Sequence, residues 1–294
     1  MDIPVYNLGQ LTALSTEEPS IGVKRLEQGF RYKENIISSH RHNFYQIIWV
    51  IKGCGTHLID FHTYPIQPAT LYFISPGQVH EWKITEAVFG YIIAFTSELF
   101  SSTLQGKTIL SELPYFYPIN TQPLLYVSDE QASIFNNIIE SIESEYQASL
   151  VDREAMLSAY LQMLLIEAKR IYAPKQTTHS AASSVLLTKQ FLFLVEENFL
   201  SQTRVSEYAK QLSITANHLN ETVKQTIGKT AGELIRARLL LEAKRWLIHS
   251  DLSISEIAHA LNFEDPSYFG RFFKRYTHYS PKDFRQQGVT NHDP

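Results

Sequence analysis

The chain has a single cysteine, Cys54, among 294 residues, so it can close no internal disulfide. A reducing cytoplasm is the compartment this fits. No apolar run approaches the roughly 20 residues that cross a bilayer, so no membrane partner is expected. The first residues lack a basic stretch followed by an apolar run, so no secretory leader is expected either. An excess of positive charge is also missing, with 26 Lys and Arg against 30 Asp and Glu, a net of −4. That balance excludes a protein that coats nucleic acid by charge alone.

The charge is unevenly shared. Residues 1–179 carry a net of −6 and residues 180–294 a net of +2. The positive groups of the second part are local, at Lys244-Arg245 and at Arg271, Lys274 and Arg275. Such clusters suit phosphate contacts, with modest non-specific affinity. What is abundant is aromatic: 17 Phe and 16 Tyr. The length allows two domains, each with its own core.

Residues 1–20, with Pro4 and Pro19, read as an irregular N-terminal arm. Residues 21–126 hold short runs rich in Ile, Val, Tyr and Phe, punctuated by Gly and Pro. Phe44–Ile51, Thr56–Phe61, Thr70–Ser75 and Val88–Phe95 are expected strands, with Gly53-Cys54-Gly55 and Pro76-Gly77 as turns. This spacing indicates a sandwich or barrel. From Ser128 the period becomes helical, through Ile134, Ile138, Ile142 and Tyr146, then Leu157, Leu161 and Leu164-Leu165. Residues 127–172 are therefore a helical segment. Its broad apolar stripe suits packing on the barrel or a homodimer interface. Residues 173–183 are small, polar and contain Pro174, which suits a linker.

The last part carries the strongest pattern. Val205-Ser-Glu-Tyr-Ala209, with Leu212, Leu219, Val223 and Lys224, returns as Ile254-Ser-Glu-Ile-Ala258, with Leu261, Phe269, Phe273 and Lys274. A short helix, a tight turn and a second amphipathic helix, repeated, describes two helix-turn-helix units. Ala231–His249 would connect them, and Pro281–Gln286 would form a last short helix. Thr203, Thr215, Ser253 and Asp265 stand where N-caps belong. Two such units present two helices to successive major grooves, so double-stranded DNA is the expected partner.

On the first recognition helix, Leu219 and Val223 face the core, leaving Asn217, His218, Asn220, Glu221 and Lys224 for DNA. On the second, Phe269, Phe272 and Phe273 have core spacing, leaving Ser267, Tyr268, Arg271, Lys274 and Arg275. Arg271 suits a guanine edge, Asn an adenine, and Lys274 and Arg275 suit phosphate. Any helical hairpin solvates one face, so polar outward residues alone prove nothing.

Ser253 through Arg285, including Ile-Ala-His-Ala-Leu-Asn-Phe and Ser-Tyr-Phe-Gly-Arg-Phe-Phe-Lys-Arg, resembles the signature of the AraC/XylS family of transcription regulators. The resemblance covers residues 184–286, with 287–294 as a tail. It implies a seven-helix DNA-binding domain. It places base-reading positions at Asn217, Asn220 and Glu221, and at Pro266, Ser267 and Arg271. Two positions depart from the pattern. His278 stands where the family usually has Gly, and Glu221 where many relatives have Arg.

His40-Arg-His42, Gln46, Gly53 and then Pro76-Gly-Gln-Val-His80 resemble the two cupin motifs. Cupins are small β-barrels, and many bind a divalent metal through three His and a Glu. His-x-His puts both imidazoles on one strand face, so His40, His42 and His80 are weak metal candidates. Gln46 replaces the carboxylate and is a poor ligand. No clear catalytic pair is present, so an enzyme is not expected, and no cofactor. The fold class is α+β: a cupin-like barrel with flanking helices, then an all-α domain with two helix-turn-helix units. The resemblance implies a sensor barrel for a small-molecule effector, such as a sugar or an aromatic acid. Arg25, His42, Gln46, His80, Trp82 and Tyr91 are expected to line it, Arg25 pairing a ligand carboxylate and Trp82 stacking on a ring. It also implies a dimer and activation of a catabolic operon through RNA polymerase. A metal-dependent cupin enzyme and a ligand-independent DNA binder remain as alternatives.

Overall fold

A computed structural model describes residues 4–12, 19–29, 36–100, 110, 113–116, 122–148, 150–172 and 179–290. The chain divides into two compact units, Pro4–Gln176 and Thr177–Pro294.

The first unit contains β1 (Val5–Tyr6), α1 (Leu8–Thr12), β2 (Ile21–Arg25), α2 (Leu26–Gly29), β3 (Ile36–His42) and β4 (Tyr45–Ile59). Then come β5 (His62–Ile66), β6 (Thr70–Ile74), β7 (His80–Phe95), β8 (Leu124–Tyr126), α3 (Asp129–Gln147) and α4 (Arg153–Tyr172). The strands follow the order β1-β3-β7-β4-β6-β8, with β2 also on β7 and β5 also on β4. Only the β1–β3 pair is parallel.

Two expectations change here. Gly53-Cys54-Gly55 is not a turn, because β4 runs straight through it for 15 residues. Here β7 passes too close for any side chain. A Cβ on Gly53 would lie 2.5 Å from the Ala87 carbonyl oxygen, and one on Gly55 2.3 Å from that of Lys83. The register slips between Val50 and Gly55. These glycines therefore bend a strand round the barrel and do not end it. The N-terminal arm is also not irregular throughout. Val5 and Tyr6 pair with Arg41 and His42, and Leu8 is buried with Phe44 and Ala94. Residues 1–3 and 13–18 lie outside the described residues.

Alternation along β4 sorts the two faces of the sheet. Ile48 and Val50 join Tyr72, Ile74, Trp82 and Val88 in one inner core cluster. Trp49 points the other way, toward α3, where its Nε1–H donates to Asn136 Oδ1 at 2.7 Å and its ring meets Phe135. Ser128 opens α3 as expected. Its hydroxyl accepts from the Gln131 amide, and the Gln131 side chain accepts from the Ser128 amide.

The second unit has seven described helices: α5 (His179–Asn198), α6 (Val205–Gln211), α7 (Ala216–Ile227), α8 (Ala231–His249), α9 (Ile254–Ala260), α10 (Pro266–Thr277) and α11 (Pro281–Thr290). α5 starts at His179, inside the stretch 173–183 that was expected as linker. Ala181 and Ala182, read as small linker residues, are strong helix formers. Residues 173–178 lie outside the described residues. α11 likewise continues to Thr290, into the expected tail. The N-cap of α6 is Arg204, one residue after the expected Thr203, because the Glu207 carboxylate accepts the Arg204 amide at 2.8 Å.

Candidate DNA-reading surface and ligand site

The two amphipathic helices of the second unit are built alike. Thr215 caps α7 by accepting the His218 amide, and Gly228 ends it at φ 82°. Asp265 caps α10 by accepting the Ser267 amide, with Pro266 in the first turn where its missing N–H costs nothing. His278 ends α10 in the left-handed region at φ 67°, ψ −5°, donating its amide to the Lys274 carbonyl. The departure at His278 thus keeps the backbone shape of a glycine stop and carries its steric strain.

Each helix buries an apolar edge. Leu219 and Val223 of α7, and Phe269 and Phe273 of α10, are buried. Asn217, His218, Glu221 and Lys224 are exposed on α7, and Ser267, Tyr268, Arg271, Lys274 and Arg275 on α10. Pro266 is half-buried beside them. Arg271 is 73% exposed and held only loosely. Its Nη2 is 3.9 Å from Asp265 Oδ2, and its guanidinium lies 6.0 Å from the Tyr268 ring centre. Asn220 differs. It is half-buried, and its Oδ1 accepts the Gly232 amide at 3.4 Å, adding a cap to α8. Asn220 is thus tied to the start of α8 through its Oδ1, unlike its exposed neighbours.

A correction concerns Lys244-Arg245. Arg245 is 1% exposed. Its guanidinium meets Glu242 at 3.0 Å, and Glu242 also meets Arg238, which reaches Glu196 at 2.7 Å. Arg238 covers the Phe199 ring at 3.8 Å. Burial raises the Glu242 carboxyl, but the two arginines win and hold it below its usual range. Lys244 is half-buried against Phe284, and burial lowers its pKa. This pair is core and rim, not a phosphate patch. Charge counting along the sequence cannot see that Arg238, Glu242 and Arg245 share one face of α8.

In the first unit the structure brings His42, Gln46, His80 and Trp82 together, all buried. It adds two residues the sequence had not singled out, His57 and Tyr72. The His57 ring lies 4.9 Å from Trp82, 5.1 Å from Tyr72 and 5.4 Å from His80. The signal for His57 was its even spacing from neighbouring strand residues, but the bulges between Val50 and Gly55 break that parity. His40 joins at the rim, 4.1 Å from His80 and 5.4 Å from Tyr6 between ring centres. Burial pushes the His42 imidazole down to about 3 and holds His57 and His80 well below the usual value. All three are neutral at pH 7.

Arg25 and Tyr91 do not belong to this group. They face each other across β2 and β7, and Tyr91 also pairs with Trp49, which puts the row on the outer face under α3. There Arg25 grips Glu143 with two bonds of 2.6 and 2.7 Å, and the Tyr91 hydroxyl reaches the same carboxylate at 3.3 Å. The bond to Glu143 raises the Arg25 pKa, and the Arg25 bond holds Glu143 below its usual range. The expectation that Arg25 and Tyr91 line the barrel is therefore corrected. Their pleat position points them outward, and Glu143 already neutralises the guanidinium.

As for metal, among the described residues no three His, Cys, Asp or Glu stand as a ligand set. His57 Nε2 and His80 Nδ1 are bonded to one another at 3.2 Å. Their remaining nitrogens therefore point to opposite ends of the pair. His42 Nδ1 donates to the Phe44 carbonyl at 2.7 Å. The weak candidates His40, His42 and His80 are close, but with an amide at Gln46 the donor set does not fit a tightly held divalent ion.

A family model for an AraC-like ligand binding domain matches residues 26–165, and one for a helix-turn-helix domain matches residues 208–287. The HTH-type transcriptional activator RhaS of Klebsiella pneumoniae (strain 342) is 25% identical over 278 residues, covering 92% of this chain and 96% of its own. The uncharacterized HTH-type transcriptional regulator YfiF of Bacillus subtilis (strain 168) is 26% identical over 250 residues, covering 84% and 78%. Among solved structures, ToxT from Vibrio cholerae is 13% identical with a TM-score of 0.41, covering 91% of this chain and 98% of that one.

Proposed function

The chain belongs to the AraC family of transcription regulators, and from that premise we propose that a small-molecule effector in its barrel controls how its two recognition helices engage DNA. The observation that carries this is the pair of capped helices α7 and α10. Each has one buried edge and one exposed row of hydrogen-bonding side chains. Asn217, His218 and Glu221 form the first reading row, with Lys224 on phosphate. Ser267, Tyr268 and Arg271 form the second beside Pro266, with Lys274 and Arg275 on phosphate. The net +2 of residues 180–294 makes specific contacts, not bulk charge, the main source of affinity.

In this reading residues 21–126 sense the effector and 127–172 join two copies. Ile134 of α3 and Met156, Met163 and Ile166 of α4 remain exposed, which suits a second copy of the chain. Two linked DNA-binding units gain avidity when dimeric. RhaS-type relatives are named as transcriptional activators, which supports activation through RNA polymerase, in the cytoplasm. Among the described residues no helix is long and apolar enough to cross a membrane. The protein works as a regulator and not as an enzyme. The donor set described above counts against a metal-dependent cupin reaction. A ligand-independent binder would fill its barrel with its own apolar side chains, whereas this one holds a cluster of polar ones.

The test is capture of genomic DNA fragments on purified full-length protein, followed by sequencing. Discrete sites with paired elements are expected, and the genes beside them would nominate the effector. Enrichment no better than random fragments at both low and moderate salt, with and without metabolite extract, would overturn the proposal.

A further inference from the structure

The two recognition helices align in sequence with Leu219 at the place of Phe269 and Val223 at that of Phe273. Thr215 then stands where Asp265 stands, and Glu221 where Arg271 stands. Thr215 and Asp265 are both N-caps. The Thr215 hydroxyl accepts the His218 amide at 3.1 Å, and Asp265 Oδ1 accepts the Ser267 amide at 2.8 Å. A hydroxyl is enough for that task. Ser128, Thr215, Thr230 and Ser253 cap α3, α7, α8 and α9 with one, so the acid at α10 needs a further reason. The helix dipole favours an acid at any N-terminus, but on this surface the phosphates of DNA would repel it. The reason lies at the other carboxylate oxygen. Asp265 Oδ2 faces Arg271, 3.9 Å from Nη2, and the same guanidinium lies 6.0 Å from the Tyr268 ring centre. Asp265 and Arg271 are 55 and 73% exposed, so their contact adds little stability. The hydrogen bond from the Ser267 amide comes first, and Arg271 adds to it, in holding the Asp265 carboxyl below its usual range. In the first unit the reading position is itself acidic, Glu221, and the cap is the neutral Thr215. The charged cap thus goes with the arginine.

We infer that Asp265 is a specificity-determining residue of the DNA-reading surface, holding the Arg271 guanidinium ready for a guanine edge and penalising sites that offer none. This rests on the reading of α10 as a recognition helix. An arginine free to rotate loses rotamer entropy when it settles on a base, and a neighbour that already restricts it reduces that loss. A bidentate contact to guanine occupies one edge of the guanidinium and leaves other N–H groups for Asp265. The loose 3.9 Å spacing suits this, because the arginine can reach the base without breaking a tight pair. On a base pair that cannot take the arginine, the carboxylate remains close to phosphate with nothing gained in return. Asp265 then acts as a repulsive element against the wrong sequence. It touches Arg271 and the helix end, so it acts through Arg271 as a positioning residue.

The experiment uses the full chain with Asp265→Asn and Asp265→Thr, two neutral residues that still cap a helix. The probes are a duplex carrying one captured genomic site, its single-base-pair variants, and an unrelated duplex of equal length. Arg271→Ala first marks the G·C pair whose preference depends on that arginine. Both Asp265 variants should bind the captured site about threefold to tenfold more weakly and lose preference at that same pair. On the unrelated duplex they should bind no more weakly than the wild type, because a charge that repels phosphate is gone. In the Arg271→Ala background, Asp265→Asn should change nothing further at that pair. A role in capping alone would weaken every duplex alike, and that result would overturn the inference. So would an unchanged preference at the marked pair, or an effect of Asp265→Asn that persists in full without Arg271. A wild type that selects no site over the unrelated duplex sinks the reading of α10 and the inference together. A selective wild type whose Asp265 variants keep the same preferences sinks the inference alone.

Discussion

Acidification from pH 7.5 to 5.5 should destabilise the barrel, and the size follows from the buried imidazoles. In the unfolded chain each histidine takes a proton near pH 6.5. In the folded barrel His42 does so only at about 3, and His57 and His80 well below 6.5. A depressed folded value means that the unfolded chain binds more protons below pH 6.5. The stability is therefore fully present above that pH and is lost as the pH falls toward the folded values. With its folded value at about 3, the His42 ring alone costs about 1.4 kcal/mol at pH 5.5 relative to pH 7.5. His57 and His80, titrating as a bonded pair, add to this in the same direction, against the roughly 5–15 kcal/mol that domains typically have. Over this window carboxylates contribute little, because Glu143 and Glu242 are held below their ordinary value. Urea denaturation followed by tryptophan fluorescence measures it. Trp246→Phe leaves Trp49 and Trp82, both buried in the first unit, as reporters. A midpoint unchanged between pH 7.5 and 5.5 would refute the reasoning, and so would one that moves equally after His42→Phe and His57→Phe together.

Other consequences are local. His278→Gly should stabilise the second unit by about 1 kcal/mol, because glycine holds φ 67° without strain; a lower melting temperature would show that the His278 side chain makes a compensating contact. Glu242→Ala should cost about 3–5 kcal/mol by leaving Arg238 and Arg245 buried without a carboxylate between them, and chemical denaturation showing less than 1 kcal/mol would mean that Glu196 and water suffice. Arg271→Ala should weaken binding to the specific site by about 1–3 kcal/mol and relax preference at one base pair; a loss equal on every sequence would make Arg271 a phosphate contact. Lys274→Ala should lower the slope of log affinity against log salt by about one, and an unchanged slope would remove Lys274 from the interface.

The helix pairs of the second unit were legible because a short apolar repeat and good caps write themselves locally. Thr215, Ser253 and Asp265 each act as the N-cap their residue type suggests. The sign of a face was harder. Arg25 and Tyr91 were assigned to the inside of the barrel, but period-two alternation gives a face only when the register is known, and β2 meets β7 with both residues outward. Gly53 and Gly55 carried the ordinary meaning of a turn, while their actual cause, the backbone of β7, is about 30 residues away in sequence. His57 was missed for the same reason, since the bulges that those glycines permit turn it inward. Lys244-Arg245 failed differently. A charge cluster in sequence becomes a surface patch only if no acidic residue waits one turn away on the same side, and Glu242 does.

The ion-paired interior of α8 has a consequence for the spacing of the target. Nineteen residues make a rod about 28 Å long, with Arg238 and Arg245 tied to Glu242 and Glu196 along one side. On the reading proposed above, such a rod would set the spacing between α7 and α10. Successive major grooves on one side of B-DNA lie about 34 Å apart. The unit should therefore count about ten base pairs between the elements that it reads, whichever bases those are. Half a turn of DNA inserted between them would present the second element to the wrong side. The loss should then resemble deleting one recognition helix.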